Sequence, residues 1–490
     1  MPANENNQPY ISVVVAARND DHGGNMLGRM QACLDSWMFQ AQRYDLPSEI
    51  VVVEWNSPEG ARRLKDDLRW PNSTSPCEVR FVEVSREIHR SIPFPDAIPL
   101  HQMISKNVGI RRARGQFVLS TNLDIIFSAE LMEFLAARKL ESRALYRIDR
   151  YDVANNLPAE RGVDGLLAFC GNHITKVSAR EGTWDTQGDR IRPVEKQDIL
   201  EPDGGIRLAE GWYGVEFEDG EPNRYLAPEA EILFERPPGV APYMILDVEV
   251  GPSANDGWVQ LDVHDCPGAK VASAIVDARY QLCLTMPPEL NSGKVSLTVA
   301  NGGFPLVHDM RMLNLRVFGI RWGETRGPGG PWHLEVIGRR AGKDWRNHPY
   351  TENPWAASMS NATYLHTNGC GDFAMMSRDA WFDLRGYPEF PIWPMHIDAL
   401  FEYSAYHAGF PEIILRDPLR IFHIEHASAA GATPEGVPEL YARIAKKGVP
   451  IMEYDDVMKV LVHMRRFNVP IVFSDGNWGM GDLNLPETTL

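Results

Sequence analysis

The sequence predicts an α/β chain with a mainly parallel sheet, interrupted by an all-β sandwich domain. In the first third, unbroken apolar runs alternate with helix-like segments, which is typical of a parallel sheet covered on both faces. From residue 206 to residue 324, short alternating segments are separated by Gly, Pro, Asn and Asp, which is typical of a β-sandwich. Mixed α/β character then returns.

The first third supplies four predicted strands and two predicted helices. The strands are Tyr10 to Ala17, Glu49 to Trp55, Val79 to Val84 and Gln116 to Ser120. Apolar residues at helical spacing, Met26, Met30, Leu34 and Trp37, predict a helix after the first strand. The segment from His101 to Arg114 is predicted to be the helix that precedes the fourth strand.

The rest of the chain completes the domain organisation. "TRGPGGPW", residues 325–332, predicts a linker after the sandwich. "HIDALFEYSAYHAG" predicts a helix that ends at Gly409, and two C-terminal helices follow, the second of them basic and expected to pack on its own domain. The predicted parts are a first α/β part (8–205), the sandwich (206–324), a second α/β part (325–470) and a C-terminal tail (471–490).

Composition excludes several classes of protein. The 490 residues carry a formal net charge of −17 with a pI near 5.3, which disfavours sequence-blind binding of nucleic acid or anionic lipid. Six scattered cysteines without a CxxC pair indicate neither a disulfide scaffold nor a zinc knuckle. With no signal peptide and no membrane-spanning apolar run, we expect a cytoplasmic enzyme or binding protein.

Polar side chains follow two of the predicted strands. Asn122 and Asp124 come directly after the fourth strand, and Glu54 and Asn56 end the second. Open α/β sheets bind ligands at the carboxyl ends of their strands, so these residues are candidates for a metal or phosphate site and for contacts to a nucleobase or ribose. The alternatives are turn chemistry at Asn122 and Asp124 and a helix N-cap at Asn56.

Two further groups lie near the C-terminus. His423 and His426, in "FHIEH", offer imidazoles to a divalent cation, although their spacing of three differs from that of zinc proteases. Asp398, preceded by His396, begins a predicted helix and is a candidate general base. Structural histidines and a carboxylate that serves the helix dipole are the alternatives.

The order of these segments resembles the family-2 glycosyltransferases of the GT-A fold. "ISVVVAARND" resembles the family's first strand and turn, and "EIVVVEWNS" its second strand. "KNVGIRRARGQFVLSTNLD" resembles the Asn-x-Gly helix that leads into the Asp-x-Asp strand, and "GDFAMMSRDAWFDLRGYPEF", "HIDALF" and "FHIEH" follow the order of the acceptor side. The resemblance covers about residues 10–150 and 360–430.

The resemblance implies a GT-A (Rossmann-like) catalytic domain that uses Mn²⁺ or Mg²⁺. This domain would move a sugar from a nucleotide-sugar donor, with a UDP-sugar favoured, to a hydroxyl of a glycan or small-molecule acceptor. Asp398 would be the catalytic base, and inversion is expected. The implied metal ligands are Asp124, Asn122, His423 and His426. The implied nucleotide contacts are Ala17, Arg18, Asn19, Glu54, Asn56, Asn107 and Arg112. The implied acceptor contacts are Asp372, Glu389 and His396.

Three positions depart from the family pattern. The first Asp of Asp-x-Asp is Asn122, the Glu-Asp pair before the acceptor helix is Ile397-Asp398, and the second acidic position after strand two is Trp55. A catalytically decayed glycan- or nucleotide-binding protein and a retaining GT-A enzyme are therefore the alternatives. A dehydrogenase is disfavoured because "RNDDHGGNMLG" lacks GxGxxG, and a nucleotidyltransferase because the chain lacks a Gly-rich basic phosphate loop there.

The sandwich contains aromatic residues with two interpretations. Parts of it resemble an accessory β domain of some bacterial polysaccharide-assembly proteins, which would let aromatic rings stack on sugars. The alternative is that the rings lie in the sandwich core. The residues concerned are Trp212, Tyr213, Tyr225, Trp258 and Tyr280.

Overall fold

The fold is taken from a computed structural model of the chain. It describes residues 8–70, 76–158, 162–180, 182–185, 205–218, 221–254, 257–303, 311–323, 330–343, 345, 365–426, 437–452 and 454–490. The chain divides into two compact units, of which the first comprises Met1–Arg180 and Leu365–Leu490 and the second Glu181–Tyr364.

The described strands and helices are numbered in chain order. The strands are β1 Ile11–Ala17, β2 Ser48–Trp55, β3 Cys77–Val84, β4 Phe117–Thr121, β5 Ile125–Phe127, β6 Leu145–Ile148, β7 Arg150–Val153, β8 Ile174–Ala179, β9 Gly182–Asp185, β10 Ile206–Leu208, β11 Trp212–Glu218, β12 Glu221–Leu226, β13 Glu229–Glu235, β14 Tyr243–Val250, β15 Val259–His264, β16 Lys270–Val276, β17 Arg279–Thr285, β18 Ser292–Val299, β19 Leu315–Trp322, β20 His333–Arg340, β21 Phe373–Ser377, β22 Glu412–Leu415, β23 Ile421–Ile424 and β24 Glu487–Thr489. The helices are α1 Met26–Arg43, α2 Leu64–Asp67, α3 Arg86–Arg90, α4 Gln102–Arg112, α5 Ala129–Ala136, α6 Gly162–Asn172, α7 Arg378–Leu384, α8 Ile397–His407, α9 Val437–Lys446 and α10 Tyr454–Phe467.

The first unit is built on an eight-stranded sheet in the order β22-β6-β21-β4-β1-β2-β3-β24. Its centre, β4-β1-β2-β3, is parallel, so the carboxyl ends of these strands lie at one edge. Alternate side chains face opposite sides: Val13 and Val15 pack with α1 and α5, whereas Val14 packs with α4, α7 and α8. The expected α/β sheet, covered on both faces, is therefore present.

The sheet differs from the expected topology in two places. β21 and β24 run antiparallel to β4 and β3, so the sheet is mixed. The residues assigned to a C-terminal tail (471–490) instead supply the edge strand β24, whose Glu487 also pairs with Arg80 at 2.6 Å. A short strand among polar residues carries too little hydrophobic pattern to be recognised from sequence.

A smaller sheet lies beyond β4 and carries the polar residues of interest. In the first unit its order is β5-β23-β7-β8. β23 pairs antiparallel with β5 on one side and parallel with β7 on the other. Residues from three distant parts of the chain are thereby held in fixed register.

The second unit consists mainly of two antiparallel sheets, in the orders β10-β13-β18-β15-β16 and β11-β12-β19-β14-β17-β20. Their buried apolar side chains form one shared cluster, as expected for a β-sandwich. β20 pairs with β17, so this unit extends beyond the expected boundary at residue 324, and residues 324–329 lie outside the described part of the chain. None of the helices in the described ranges is long and apolar enough to cross a membrane.

The aromatic residues of the second unit are mostly core residues. Trp212, Tyr213 and Tyr225 are fully buried, and Tyr280 is 9% exposed. The alternative of sugar stacking is thus excluded for these four in the folded unit, because their faces are already packed. Trp258 alone of the five is half-buried.

Candidate functional site

Asp124 lies where the central sheet meets the smaller one. It falls between β4 and β5, so the end of β4 delivers it to the carboxyl edge of the parallel strands. Asp124 is 5% exposed. The Asp124 carbonyl accepts a hydrogen bond from the backbone of Ile424 at 3.1 Å, which ties this position to β23.

His423 on β23 is oriented by a second carboxylate. Its backbone lies opposite Ile125 of β5 and beside Asp152 of β7. The Nδ1 of His423 is 2.6 Å from Oδ1 of Asp152, and its Nε2 is 3.9 Å from Oδ2 of Asp124. A proton held on Nδ1 by Asp152 leaves the lone pair of Nε2 directed towards Asp124. Metal-binding histidines are commonly oriented in this way.

His426 approaches Asp124 from the residues that follow β23. Its Nε2 lies 3.2 Å from Oδ2 of Asp124. The glycine turn before α1 packs on the other side of the ring, where a Cβ on Gly23 would lie 2.5 Å from Nδ1 of His426. Gly23 also has a φ of +73°, so only glycine fits this contact without strain.

Arg29 of α1 completes the surroundings of Asp124. Its Nε is 3.6 Å from Oδ2 of Asp124, while its terminal nitrogens donate to the carbonyls of His22 and Gly24. Burial alone would raise the pKa of Asp124, but the hydrogen bond from His426 and the charges of His423, His426 and Arg29 lower it to about 2. Asp124 is therefore a carboxylate at every physiological pH.

The three side chains form a donor set that fits a divalent cation. Within the described residues, the ligand atoms of Asp124, His423 and His426 all lie within 4.8 Å of one another. Burial disfavours the charged form of His423, but the bond to Asp152 and the charges of Asp124 and Asp372 outweigh it and raise its pKa. A cation at this point would displace the proton that Nε2 carries in the charged form of His423. Two imidazoles with one carboxylate suit Mn²⁺, Fe²⁺ or Zn²⁺.

Asn122 is directed away from this group. Its amide nitrogen donates to Asp372, and its oxygen accepts from Gln102 at 3.2 Å. Asp372 in turn accepts from Arg150 at 2.7 Å, and Arg150 also pairs with Asp152 at 3.2 Å. Asn122 therefore links β4 to Asp372 through its amide, and its role as a metal ligand stays a prediction.

Asp398 is found beside the same region. It lies in the first turn of α8 after His396, and its Oδ2 is 3.2 Å from where a Cβ on Gly371 would stand. Gly371 adjoins Asp372 in a short 3₁₀ turn, and its carbonyl accepts from the buried Lys106 at 2.6 Å. The structure therefore brings Asp398 next to Asp372.

The ends of β1 and β2 carry five of the predicted nucleotide contacts. Ala17 pairs with Glu54 in the parallel register, and Arg18 donates to the Asn56 carbonyl at 2.9 Å. Asn19 donates to Asp67 at 2.9 Å. Glu54 is fully buried and accepts from Ser57 and from the backbone of Leu64. These residues lie at the same edge of the sheet as Asp124.

Three other predicted contacts are structural. Asn107 is fully buried and exchanges hydrogen bonds with the Tyr387 backbone and with Glu389. Glu389 also accepts from the Gly479 backbone at 2.7 Å. Arg112, at the far end of α4, donates to carbonyls of residues 479–483. Asn107 and Arg112 are thus corrected from nucleotide contacts, and Glu389 from an acceptor contact, to residues that hold the C-terminal segment in place.

Sequence reasoning missed Asp152, Arg150 and Arg29. Asp152 and His423 are 271 residues apart and meet only through the pairing of β7 with β23. The segment "RIDRYDV" contains two carboxylates, Asp149 and Asp152, but nothing in it specifies the histidine partner. Arg29 lies on the buried face of an otherwise ordinary amphipathic helix.

Comparison with known proteins gives little further information. No family model matches the chain, and no curated protein matches it. Among solved structures, it is similar to the galactosyltransferase LgtC in complex with donor and acceptor sugar analogs, at 16% identity and a TM-score of 0.18, and to an active-site mutant of LgtC, at 14% and 0.16. Each match covers 29% of this chain and 46% of the other, so the chain spans less than half the length of these structures. This is a weak likeness to a glycosyltransferase fold and carries no conclusion about activity.

Proposed function

We propose that the chain is a metal-dependent glycosyltransferase that moves a sugar from a nucleotide-sugar donor, with a UDP-sugar favoured, to a hydroxyl of a glycan or small-molecule acceptor. The observation that carries the proposal is the group formed by Asp124, His423 and His426, with His423 oriented by Asp152. This group lies at the carboxyl edge of parallel strands, where open α/β sheets bind nucleotides.

The position of the neighbouring residues supports a nucleotide diphosphate as ligand. Arg18, Asn19 and Asn56 follow β1 and β2 at the same edge as Asp124. A donor whose base and ribose contact the ends of β1 and β2 would extend its diphosphate towards β4. When bound, a divalent cation supplies the positive charge that stabilises a diphosphate leaving group.

The residues of the chain then have separate tasks. Asp124, His423 and His426 hold the cation, and Asp152 fixes the tautomer of His423. The oxygen of the acceptor hydroxyl attacks the anomeric carbon while Asp398 accepts its proton. This direct attack gives inversion at that carbon. Asp372, fixed between Asn122 and Arg150, faces the region of Asp398 and is assigned to acceptor binding together with His396.

Two alternative functions would use the same site residues. A retaining enzyme would use the same metal group without a base at Asp398. A catalytically decayed protein would bind glycan or nucleotide without transfer, which Asn122 and Trp55 favour and the intact Asp124 group disfavours.

A thermal-shift panel tests the proposal. UDP-, GDP-, CMP- and dTDP-sugars are each added with and without Mn²⁺ or Mg²⁺, because a ligand that binds only the folded state raises its melting temperature. A ligand at about 100 times its Kd should stabilise the chain by about 2.7 kcal/mol. We expect one nucleotide to stabilise only with metal, and the effect to disappear in Asp124→Ala and His426→Ala.

His333→Ala, which removes an exposed histidine of the second unit, is the matched control and should keep the full shift. No shift with any nucleotide and metal would contradict donor binding. Stabilisation by Mn²⁺ alone, with no further effect of any nucleotide-sugar, would instead indicate a metal site that does not bind a nucleotide-sugar donor.

A further inference from the structure

The turn between β1 and α1 places a histidine beside the metal group. In "DDHGGN", residues 20–25, His22 is exposed and is followed by two glycines. The metal group as described above does not use its imidazole. A surface histidine is of interest only if its neighbours belong to a site, and here they do.

The backbone of this turn is fixed against the site. Arg29 donates from Nη2 to the carbonyl of His22 at 2.7 Å, and its Nε lies 3.6 Å from Oδ2 of Asp124. One guanidinium group therefore links the turn to the central carboxylate of the metal group. At the next residue, a Cβ on Gly23 would lie 2.5 Å from Nδ1 of His426, so the turn packs directly on that imidazole.

The ring of His22 is related to His426 much as the ring of His423 is. The ring centroids of His22 and His426 are 5.9 Å apart with an interplanar angle of 66°. Those of His423 and His426, both in the metal group, are 5.4 Å apart with the same angle of 66°. In the present conformation His22 lies outside the group of ligand atoms that fall within 4.8 Å of one another. The described residues form no hydrogen bond with its ring nitrogens, so a change of rotamer breaks none.

The metal group has room for a further ligand on chemical grounds. Asp124, His423 and His426 supply three ligand atoms, which leave coordination positions open on a tetrahedral or an octahedral ion. Nδ1 of His426 is buried without a partner in the described part of the chain, whereas Nδ1 of His423 is held by Asp152. The His426 side of the group is therefore held by packing against the turn. A second imidazole from that turn matches the donor chemistry already present.

We propose that His22 is a fourth protein ligand of the divalent cation that Asp124, His423 and His426 hold. A change of rotamer brings its imidazole to the ion, while the backbone of the turn stays in place. The inference rests on the metal site of the proposed function. It does not depend on nucleotide binding or on sugar transfer.

Ligation by His22 would connect the metal site to the donor edge. The ion would then join the β1–α1 turn to the end of β4 and to the residues that follow β23. Arg18 and Asn19, two of the predicted nucleotide contacts, lie in the same turn as His22. A bound ion would therefore hold these contacts in place, which is a physical reason for nucleotide binding to require metal.

Metal titration of the full chain tests the proposal without any nucleotide. Loss of a residue that only orients a ligand costs about 10- to 100-fold in metal affinity, so His22→Ala should weaken Mn²⁺ binding at least about tenfold. The free Mn²⁺ signal in electron paramagnetic resonance measures this affinity. Co²⁺ gives a second readout, because its visible absorption depends on the number and kind of its ligands. The Co²⁺ spectrum should change in His22→Ala, which a merely structural role of His22 would not cause.

His463→Ala is the matched control, because it removes another exposed histidine of the same unit, from α10. It should keep the Mn²⁺ affinity and the Co²⁺ spectrum of the unaltered chain, and both variants should keep its melting temperature without metal. Unchanged Mn²⁺ affinity in His22→Ala, or an unchanged Co²⁺ spectrum, would overturn the assignment of His22.

The outcome for His22 is distinguishable from that for the proposed function. If the unaltered chain binds Mn²⁺ but no nucleotide-sugar, the proposed function is wrong, and weaker Mn²⁺ binding with a changed Co²⁺ spectrum in His22→Ala still supports the ligand. If a nucleotide-sugar binds with metal and His22→Ala keeps full Mn²⁺ affinity, only the assignment of His22 is wrong. If the unaltered chain binds neither Mn²⁺ nor Co²⁺, both are wrong.

Discussion

Asp152 and His423 are joined by a hydrogen bond of 2.6 Å between Oδ1 and Nδ1. The bond spans two parallel strands, β7 and β23, that the chain visits 271 residues apart. It determines which nitrogen of His423 faces Asp124, and so whether this imidazole is available to a cation.

Asp152→Asn should therefore weaken metal binding. An amide can present its NH₂ to Nδ1 and reverse the tautomer, so that Nε2 carries the proton and no longer has a lone pair for the cation. Removing such a partner costs about 10- to 100-fold in metal affinity. Titration of the free Mn²⁺ signal by electron paramagnetic resonance measures this directly.

Lys176→Met is the matched control. Lys176 lies 3.7 Å from the other oxygen of Asp152 and contributes charge but does not orient His423. Its substitution should leave Mn²⁺ affinity within a few-fold of the unaltered chain. A gain of Mn²⁺ affinity in Lys176→Met as large as the loss in Asp152→Asn would mean that Asp152 acts by charge rather than by orientation.

Asp398→Asn should separate donor binding from transfer. Loss of a general base lowers turnover by about 10²- to 10⁴-fold, while the donor edge around Asp124 is untouched. Donor binding is followed by thermal shift with the nucleotide that the panel identifies, and transfer by release of the nucleoside diphosphate.

Asp379→Asn controls for the helix dipole. Asp379 lies in the first turn of α7, as Asp398 does in α8, so each substitution removes a carboxylate from an equivalent helical position. Asp379→Asn should keep normal turnover. If Asp398→Asn retains turnover as well, the carboxylate serves the helix only; if it loses donor binding, it is not the base.

The sequence predicted the part of the site that depends on strand ends. Buried runs show where β1, β2 and β4 end, and a parallel sheet necessarily brings those ends to one edge. The contacts of Asp152 depend on register between distant strands, which no local pattern encodes. A sequence motif can also suggest a contact that the fold does not favour. The motif around Asn107 resembles a nucleotide-binding helix, but tertiary packing directs its amide to Tyr387 and Glu389.

The acid stability of the fold should depend on His101. This side chain is 3% exposed and packs against the rings of His89 and Trp55. Burial, reinforced by His89, lowers its pKa from 6.5 to about 4. The unfolded chain therefore binds a proton at a pH where the folded chain does not, so stability is full above about pH 6.5 and falls as pH drops towards 4.

His101→Phe should reduce that loss. The lowered pKa of His101 corresponds to at most about 3 kcal/mol of folding stability. The pKa of His89 is also lowered by burial, so the variant should keep part of the dependence of stability on pH. Urea unfolding at neutral and mildly acidic pH measures the difference, with His333→Phe as the exposed control. An identical loss of stability in His101→Phe and the unaltered chain would show that His101 does not contribute to it.

Gly23 and Gly24 offer a matched pair of substitutions at the site. Both have a positive φ, +73° and +76°, so an alanine at either costs a comparable strain of about 1–2 kcal/mol. A Cβ at Gly23 would lie 2.5 Å from Nδ1 and 2.9 Å from Cγ of His426, whereas one at Gly24 meets nothing within 4 Å. Gly23→Ala should therefore displace His426 and weaken Mn²⁺ binding, and Gly24→Ala should not. Both variants have comparable backbone strain. Equal Mn²⁺ affinities in the two variants would therefore show that the position of His426 does not govern the metal site.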